Sequence, residues 1–392
     1  MRLDERHQRA LVNAVVAAAV TAIVGLMVVS ALPEGERRST ATTAPPQSPS
    51  PPVACDPSWE RVPSPTPEDG GALLAAVVAV APDFAWAVGG SGDPVAPSST
   101  LALLWNGAEW DLVATPNAGS LANRFDAVDA LSPDAAWAVG RASSGAGDVP
   151  IVAQWDGGTW TLLPSPPAVP EGALLGIAAA STDDVWAVGY AGDPTLGQER
   201  AVAVHWNGLE WSSVPLRPAI GSGRSTLVAV SALSGADVWA VGYQRARPVI
   251  VHYDGTTWSR SPSEVRGDVL AVAALEPDDV WAVGQRIQHF DGAGWTEIGS
   301  LRPGEVLRSV AAVSPSDVWA VGTRPAGDGT VKPLVLRFDG SAWSRVRGRG
   351  VAGSVTLTGV SALPDGTVLG VGYRDGPEGR TSFALRGTTC VG

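Results

Sequence analysis

The feature of this sequence that most constrains its fold is the tetrapeptide Trp-Ala-Val-Gly, which recurs at intervals of 38 to 53 residues. Six copies are identical, and a degenerate seventh, Leu-Gly-Val-Gly, occupies residues 369–372. This spacing is typical of the four-stranded blades of a β-propeller. Seven copies therefore predict an all-β fold, a seven-bladed β-propeller. The tryptophans of the six intact copies are Trp86, Trp137, Trp186, Trp239, Trp281 and Trp319.

A second motif follows each intact copy after a variable loop. It consists of an aromatic residue, Asp or Asn, Gly, two further residues and Trp. Asp-Gly and Asn-Gly supply the positive φ that a tight hairpin requires, so the motif predicts the turn between a third and a fourth strand. The six copies occupy residues 105–110, 155–160, 206–211, 253–258, 290–295 and 338–343.

The seventh repeat is incomplete, because it stops where the other repeats place the Trp and the fourth strand. Residues 59–65 (WERVPSP) match the fourth strand at 160–166 (WTLLPSP). We therefore expect an N-terminal strand over residues 58–63 to complete the last blade and close the ring. Cys55 and Cys390 flank this closure. The sequence favours a disulfide between them in an exported domain, and two unrelated free thiols are the alternative.

The N-terminal part of the chain predicts a membrane anchor and a spacer. Residues 10–32 carry no charge and are long enough to cross a bilayer as a helix. We expect residues 1–9 to be cytoplasmic, 10–32 to be a single-pass signal anchor in the cell membrane, and the Pro/Ser/Thr-rich residues 33–54 to be a disordered linker. The propeller, residues 55–392, would then be extracytoplasmic. Secretion after signal-peptide cleavage is the alternative.

Together the two motifs resemble the repeats of kelch and galactose-oxidase-type propellers, in which a strand ending in Gly precedes a variable loop, an aromatic-Asp pair and a Trp. Most copies have one Gly where a kelch repeat has two, and only Gly89-Gly90 keeps the pair. The second motif also resembles the Asp-box of sialidase-like propellers, although Asp and Gly are adjacent here. The resemblance implies the fold, and we carry over neither the activity nor the copper site of galactose oxidase.

Histidines and aspartates recur at equivalent positions of several repeats, and both are residues that can bind a metal ion. His205, His252 and His289 precede the aromatic residue of the second motif in three successive blades. Third strands of neighbouring blades diverge outwards, so we predict structural histidines and neither metal nor cofactor. The recurrent aspartates are interpreted as caps of their own turns, and the tryptophans as packing between blades. These aspartates are Asp83, Asp134, Asp183, Asp237, Asp278, Asp317 and Asp365.

The loops differ in how much they vary between repeats. The two hairpin turns at one end of each blade stay short and alike, whereas the loops after Trp-Ala-Val-Gly and those between blades vary in length and sequence. Both variable sets emerge on one face, where we expect a ligand or partner to bind. The candidate binding residues, each in a variable loop just after the motif glycine, are Arg141, Tyr190, Tyr243, Gln285, Thr323 and Tyr373.

The charge of the chain excludes one class of partner. The net charge is −12, and such an acidic protein repels the phosphate backbone, so we predict no nucleic-acid binding. The charge is also uneven: residues 71–200 carry a net −11 and residues 201–392 a net +1. The acidic part favours a basic partner or cation, and solubility is the alternative explanation.

These observations predict a monomeric propeller that acts as a binding or scaffold module for an envelope glycan or an exported protein. We found no catalytic constellation in the sequence, which favours a protein that is not an enzyme. The alternative is a sialidase-like or lyase-like enzyme acting on polysaccharide, with unrepeated loop residues such as Glu199, Arg245 or Asp328 as its acid and base. A structural spacer without a ligand is a third hypothesis.

Overall fold

The structure, a computed structural model, describes residues 57–67, 70–92, 97–143, 145, 147–245, 247–348, 351–377 and 379–388. Within these ranges the chain forms 29 strands in seven sheets and no helix. The sheets are the blades of a seven-bladed β-propeller, so the predicted all-β fold is confirmed. The predicted membrane helix at 10–32 and linker at 33–54 lie outside the described residues.

The first strand of the chain, β1 (Ser58–Val62), belongs to the last blade. Blades 1 to 3 follow, each with four antiparallel strands in chain order. Blade 1 comprises β2 (Gly71–Ala81), β3 (Phe84–Gly92), β4 (Pro97–Trp105) and β5 (Trp110–Val113). Blade 2 comprises β6 (Ala122–Ser132), β7 (Ala135–Ser143), β8 (Asp148–Trp155) and β9 (Trp160–Leu163). Blade 3 comprises β10 (Gly172–Ser181), β11 (Asp184–Ala191), β12 (Arg200–Trp206) and β13 (Trp211–Ser213).

Blades 4 to 6 repeat this arrangement, and blade 7 combines both ends of the chain. Blade 4 comprises β14 (Ser225–Ser234), β15 (Asp237–Gln244), β16 (Arg247–Tyr253) and β17 (Trp258–Arg260). Blade 5 comprises β18 (Val269–Glu276), β19 (Asp279–Gly284), β20 (Ile287–Phe290) and β21 (Trp295–Glu297). Blade 6 comprises β22 (Val306–Ser314), β23 (Asp317–Pro325), β24 (Val331–Phe338) and β25 (Trp343–Arg345). Strands β26 (Arg347–Gly348), β27 (Ser354–Ala362), β28 (Thr367–Gly376) and β29 (Gly379–Thr388) join β1 in blade 7.

The first strands of the blades form the inner wall of a closed ring. Each contacts the first strand of the next blade, in the order β2, β6, β10, β14, β18, β22 and β27, and β27 contacts β2 again. The remaining strands of each blade lie progressively further outwards. The hydrophobic core is therefore divided among the interfaces between neighbouring blades, where the apolar side chains cluster.

The N-terminal strand supplies the missing fourth strand of the last blade. Strand β1 pairs antiparallel with β29, with Ser58 opposite Thr388 and Val62 opposite Ala384. The Trp59 ring packs edge-on against Trp319 of blade 6, with 5.6 Å between ring centroids. Trp59 therefore takes the place that Trp110 and its equivalents hold in the intact repeats.

Blade 7 also has a fifth strand that the repeat pattern did not predict. The connection from blade 6 includes β26, which pairs parallel with β1 through Ser58 opposite Arg347 and Trp59 opposite Gly348. The sheet order is β26-β1-β29-β28-β27, so β26 is the outermost strand. The connection between blades 6 and 7 therefore covers part of the edge of the closing strand.

The motif tryptophans pack between blades, as predicted. The Trp86 ring of blade 1 lies 4.8 Å from the Trp155 ring and 5.1 Å from the Trp160 ring of blade 2, measured between centroids. The Trp186 ring contacts the Trp258 ring of blade 4 in the same way, at 5.8 Å. Such edge-to-face aromatic contacts are stabilising beyond the area they bury.

The glycine of the same motif is required by a β-bulge. In every blade the first strand carries an extra residue directly after the partner of the motif glycine, for example between Leu174 and Gly176. A Cβ atom added at Gly189 would lie 2.0 Å from the carbonyl oxygen of Ala173. A Cβ atom added at any of the other six motif glycines would lie 1.9 to 2.1 Å from a carbonyl oxygen in or just before the first strand. Only glycine permits the two strands to approach this closely.

The predicted hairpin turns of the second motif are confirmed. Their glycines have φ between 83° and 93°, and the Asp or Asn side chain accepts hydrogen bonds from the two residues after the glycine. The hydroxyl of Thr256 and the backbone N–H groups of Thr257 and Thr256 lower the pKa of Asp254 to about 2. The turn is therefore held by local hydrogen bonds that need no partner blade.

Both cysteines lie outside the described residues, so the disulfide stays a prediction. Cys55 precedes Ser58 by three residues and Cys390 follows Thr388 by two, and Ser58 and Thr388 are directly paired. The closing pair of strands thus ends close in sequence to both cysteines.

Replacing Gly189 by alanine is expected to lower the free energy of unfolding by about 3 kcal/mol, because strands β10 and β11 must separate to admit the Cβ atom. Urea unfolding of the unit Ala54–Gly392, followed by tryptophan fluorescence, measures the effect. Gly294→Ala is the control, since its Cβ would meet nothing within 4 Å. Equal stability of the two variants would contradict the role of the bulge.

Oxidised protein is expected to carry the Cys55–Cys390 disulfide and to lose about 2 to 4 kcal/mol of stability on reduction, because the bond closes nearly the whole domain into a loop. Peptide mapping without and with reductant detects the bond, and Cys55→Ser provides the unbonded reference. Alkylation of both thiols in the native protein before reduction would show that the bond is absent.

Candidate functional site

The six candidate binding residues lie at the same end of the propeller, five of them within the second strands of their blades and Gln285 directly after one, rather than in the loops. Each second strand ends there, each third strand begins there, and the blade-to-blade connections cross there, because neighbouring strands in a blade are antiparallel. We call this end the loop face, and the opposite end, with the Asp-Gly and Asn-Gly turns, the turn face. The loop face is therefore the surface on which the blades differ from each other.

Arg141 and Tyr190 contact each other across blades 2 and 3. The Arg141 Nη1 atom lies 3.5 Å from the Tyr190 hydroxyl and 3.8 Å from Asp148 Oδ2, and its Nε atom lies 3.4 Å from Asp126 Oδ2. Asp126 also pairs with Arg124. The carboxylate of Asp126 is the main cause of the raised pKa of Arg141. We call these five residues the blade 2–3 network.

The Tyr190 side chain is the buried member of this network. Burial raises the pKa of Tyr190, and the nearby Arg141 charge opposes this effect. The phenol therefore stays neutral at physiological pH and offers a hydroxyl that is held in place by the guanidinium. Tyr190 is only 5% exposed, so Arg141 is the member of this pair that can contact a partner.

Tyr243 lies in a groove between blades 4 and 5, with a volume of about 610 Å³. The Arg224 Nε atom donates a hydrogen bond to the buried carboxylate of Glu199, which raises the pKa of Arg224. The backbone N–H of Arg245 donates to the Arg224 carbonyl oxygen at 2.9 Å, and Arg245 has a φ of 51°. The lining residues are Arg224, Gly242, Tyr243, Arg245, Asp268, Val269 and Leu270.

The other candidates have different surroundings. Gln285 donates from Nε2 to Asp268 Oδ2 at 3.2 Å, so it joins the blade 4–5 groove through that residue. Thr323 is 8% exposed and contributes little side-chain surface. The Tyr373 ring is covered by the Arg380 guanidinium, whose central carbon lies 3.9 Å from the ring centroid. The six residues thus form separate local groups rather than one site.

The residues suggested for an enzyme do not form one constellation. Glu199 and Arg245 both contact Arg224. Asp328 belongs to blade 6, where its Oδ1 atom accepts hydrogen bonds from the backbone N–H of Thr330 at 3.0 Å and from its hydroxyl at 2.6 Å. An acid and a base that act on one bond must both reach that bond. Glu199 bonds to Arg224, whereas Asp328 bonds to Thr330 in blade 6.

Each of the three recurrent histidines bonds to an aspartate of its own blade. The distances from Nε2 to the carboxylate are 2.8 Å for His205 with Asp184, 2.8 Å for His252 with Asp237, and 2.9 Å for His289 with Asp279. The imidazole also lies on the motif Trp, with 4.3 to 4.6 Å between centroids. These contacts give the histidines a structural role within single blades, as predicted.

Blade 6 builds the same stack with arginine. Arg337 donates from Nε to Asp317 at 2.8 Å and lies over the Trp319 ring. Asp237 and Asp317 therefore bond across to the third strand, and the interpretation that they cap their own turns is corrected. The sequence could have indicated these pairs. An Asp two residues before the motif Trp occurs only in the four blades that have His or Arg opposite that Trp.

Asp129 is a partly buried carboxylate that links two blades. Its Oδ2 atom accepts the backbone N–H of Ala179 in blade 3 at 2.8 Å, and its Oδ1 atom accepts that of Ala130 at 2.9 Å. Burial outweighs these bonds and raises the pKa of Asp129 to about 6. Ser231 and Ser361, also opposite the motif position, accept N–H groups of the next blade in the same way. The shared geometry indicates a structural role.

No group of three or more His, Cys, Asp or Glu side chains among the described residues could hold a metal ion. Within the same residues, no helix could cross a membrane.

Neither a scan against protein families nor a search of curated proteins finds a match. Solved structures do match. One described as YCF48 bound to D1 peptide has a TM-score of 0.57 and 17% identity, covering 85% of this chain and 96% of that chain. YCF48 from Cyanidioschyzon merolae has a TM-score of 0.55 and 17% identity, covering 84% and 98%. A structure of U3-55K has a TM-score of 0.56 and 12% identity, covering 85% and 98%. At these identities the similarity shows the propeller fold.

The raised pKa of Asp129 predicts a pH dependence. The folded protein holds this proton up to about pH 6, whereas the unfolded chain releases it near 4, so the contribution of Asp129 to stability falls as the pH rises between these values. Asp129→Ser, which keeps the acceptor for Ala179, is expected to become more stable than the original protein by about 1 to 3 kcal/mol above pH 6.

Urea unfolding of both proteins at several values between pH 4 and 7 measures this difference. Ser231→Ala is the control, because it removes an equivalent acceptor without a titrating group and should lower stability equally at every pH. A difference between Asp129→Ser and the original protein that did not change with pH would show that Asp129 has an ordinary pKa.

Proposed function

We propose that this chain is a membrane-anchored, extracytoplasmic β-propeller of the kelch-like type that binds a segment of another exported protein and acts as a scaffold. The observation that carries the proposal is the contrast between the two faces. The turn face repeats one turn from blade to blade, whereas the loop face presents a different set of side chains in each blade.

The loop-face groups suit a protein partner. The blade 2–3 network presents Arg141 and the blade 4–5 groove presents Tyr243, and arginine and tyrosine are enriched where protein interfaces gain most of their binding energy. The hydrogen bonds of Arg141 to Tyr190 and of Arg224 to Glu199 fix these side chains before a partner arrives. Binding then costs little side-chain entropy.

A structure with a similar fold supports the kind of ligand. The YCF48 structure that matches this chain is described as bound to D1 peptide, which shows that a propeller of similar fold binds a peptide. We therefore prefer a protein segment to an envelope glycan. The separation of Glu199 from Asp328 likewise argues for binding rather than for hydrolysis of a polysaccharide.

The location is proposed from the sequence. Residues 10–32 have the length and lack of charge of a membrane-spanning helix, and the Pro-rich residues 33–54 suit a spacer. The propeller would therefore be held in the cell membrane by a single span and face outwards. A protein secreted after cleavage would present the same loop face.

Selection of random linear peptides on the immobilised full chain tests the binding function. Selected peptides are expected to bind the double variant Tyr243→Ala/Gln285→Ala at least about tenfold more weakly than the original protein, because Tyr243 lines the blade 4–5 groove and Gln285 holds the lining residue Asp268. Both residues are exposed, so the variant should fold. Affinity is measured by fluorescence anisotropy with labelled peptides.

The matched control is Leu209→Ala/Glu210→Ala, in an exposed turn of the turn face, and it should bind the peptides with unchanged affinity. A glycan panel is tested on the same surface. Binding of glycans without any peptide would overturn the proposed function, whereas equal peptide affinity of all three proteins would show that the blade 4–5 groove is not the peptide site.

A further inference from the structure

A second groove, between blades 6 and 7, has an unusual charge. Its volume is about 630 Å³, within the range of sites that bind small ligands or parts of larger ones. The groove is lined by both basic and apolar residues, and no acidic residue lines it. We call it the basic groove. Its cationic residues are Arg302, Arg324, Lys332, Arg345 and Arg347.

Most of these cations form no ion pair with a carboxylate within 4 Å among the described residues. Arg302 nevertheless donates its backbone N–H to Glu305 Oε2 at 2.8 Å, and the charge of Lys332 adds to the Thr330 hydrogen bonds that lower the pKa of Asp328. Arg345 donates to both carboxylate oxygens of Glu305, at 2.8 and 2.6 Å, and it is the only lining cation with an ion pair. Lys332 donates from Nζ to the carbonyl oxygen of Gly353 at 2.7 Å. The chain has a net charge of −12, but none of its acidic residues lines this groove.

Two of the cations are placed directly against each other. Arg324 pairs with Lys332 across strands β23 and β24, and like charges at directly opposite positions destabilise a sheet. The equivalent pair is Ala142 with Val149 in blade 2 and Gln244 with Arg247 in blade 4. A bound anion would relieve the repulsion between Arg324 and Lys332.

The blade 7 wall adds a second pair of cations. The guanidinium carbons of Arg61 and Arg374 lie 5.8 and 5.5 Å from the centroid of the Phe383 ring. The Arg374 Nε atom is buried and has no hydrogen-bond partner. Phe383 lies two residues from Leu385 on the same face of β29, and Leu385 lines the basic groove. Blade 7 therefore carries two further cations on the face that includes Leu385, although neither of them lines the groove.

The shape of the groove favours a peptide over a simple anion. Pro333, Val346 and Val351 form apolar parts of its lining, so a ligand needs apolar groups as well as negative charge. Strand β26, which contains Arg347, is the outermost strand of its sheet. An extended peptide can add to such an edge through backbone hydrogen bonds, which a glycan cannot do.

We propose that the basic groove binds an extended acidic peptide segment, with its carboxylates on Arg324, Lys332 and Arg347 and its apolar side chains against Pro333 and Val351. The inference rests on the proposed function and names the chemistry of the partner. The charges steer an acidic segment to the groove, and the apolar lining selects one with hydrophobic side chains.

Fluorescence anisotropy on the full chain in detergent tests this site with a labelled synthetic peptide of alternating aspartate and leucine. Arg324→Glu/Lys332→Glu is expected to weaken binding at least about tenfold, because two attractive contacts become repulsive. The control Arg217→Glu/Arg266→Glu makes the same change of charge at exposed positions between other blades, and it should stay within about twofold of the original affinity.

Further probes separate the sources of binding. A lysine-leucine peptide should not bind, and polyaspartate should bind more weakly than the alternating peptide because it lacks apolar side chains. Equal weakening by both charge-reversal variants would show general electrostatics and overturn the site. Selected peptides that are not acidic and that bind the Arg324→Glu/Lys332→Glu protein normally would overturn this inference alone, whereas failure of every peptide would overturn the proposed function as well.

Discussion

The packing of each motif tryptophan against the next blade is the interaction on which the rest of the structure depends. Within Trp-Ala-Val-Gly, side chains alternate between the two sides of the strand, so Trp86 and Val88 pack with blade 2 while Ala85 and Ala87 pack on the blade 7 side. The alanine shares its cluster with the tryptophan of the preceding blade, as Ala138 does with Trp86. A large ring from one blade thus meets a small residue of the next, and the glycine admits the bulge of the first strand. One tetrapeptide therefore sets the spacing of the whole ring.

This explains how much of the fold the sequence predicts. The same packing and turn constraints recur from blade to blade. Comparing the repeats therefore predicts the blade number, the hairpin turns and the role of the tryptophans. The pairing of β1 with β29 was expected because Trp59 matches Trp160, and the Trp59–Trp319 contact shows why that match matters. Strand β26 occurs once and has no internal counterpart, so no comparison between repeats could have indicated it.

The candidate site was predicted less completely, for the same reason. Arg141 and Tyr190 both follow a motif glycine, and both lie at the loop face. Their contact, however, depends on the directions of side chains in two different blades. Tyr190 and Thr323 are nearly buried whereas Tyr243, at the same position of its repeat, is exposed, so position alone does not determine exposure. The basic groove is formed by a strand end, a hairpin and a blade connection. Its residues are far apart in sequence and do not recur in other blades, so no sequence pattern predicts that they come together.

The position of the basic groove links binding to the closure of the ring. Blade 7 combines the first and the last strands of the described residues, and β26 pairs with the closing strand β1. Strand β26 follows β25 of blade 6 after one residue, so a ligand that contacts Arg347 and blade 6 would hold the strand that pairs with β1 against the preceding blade. Since a ligand that binds only the folded state stabilises it by mass action, the energy of binding would act on the interface between blades 6 and 7. The least regular part of the propeller is then also the part whose stability a partner can change.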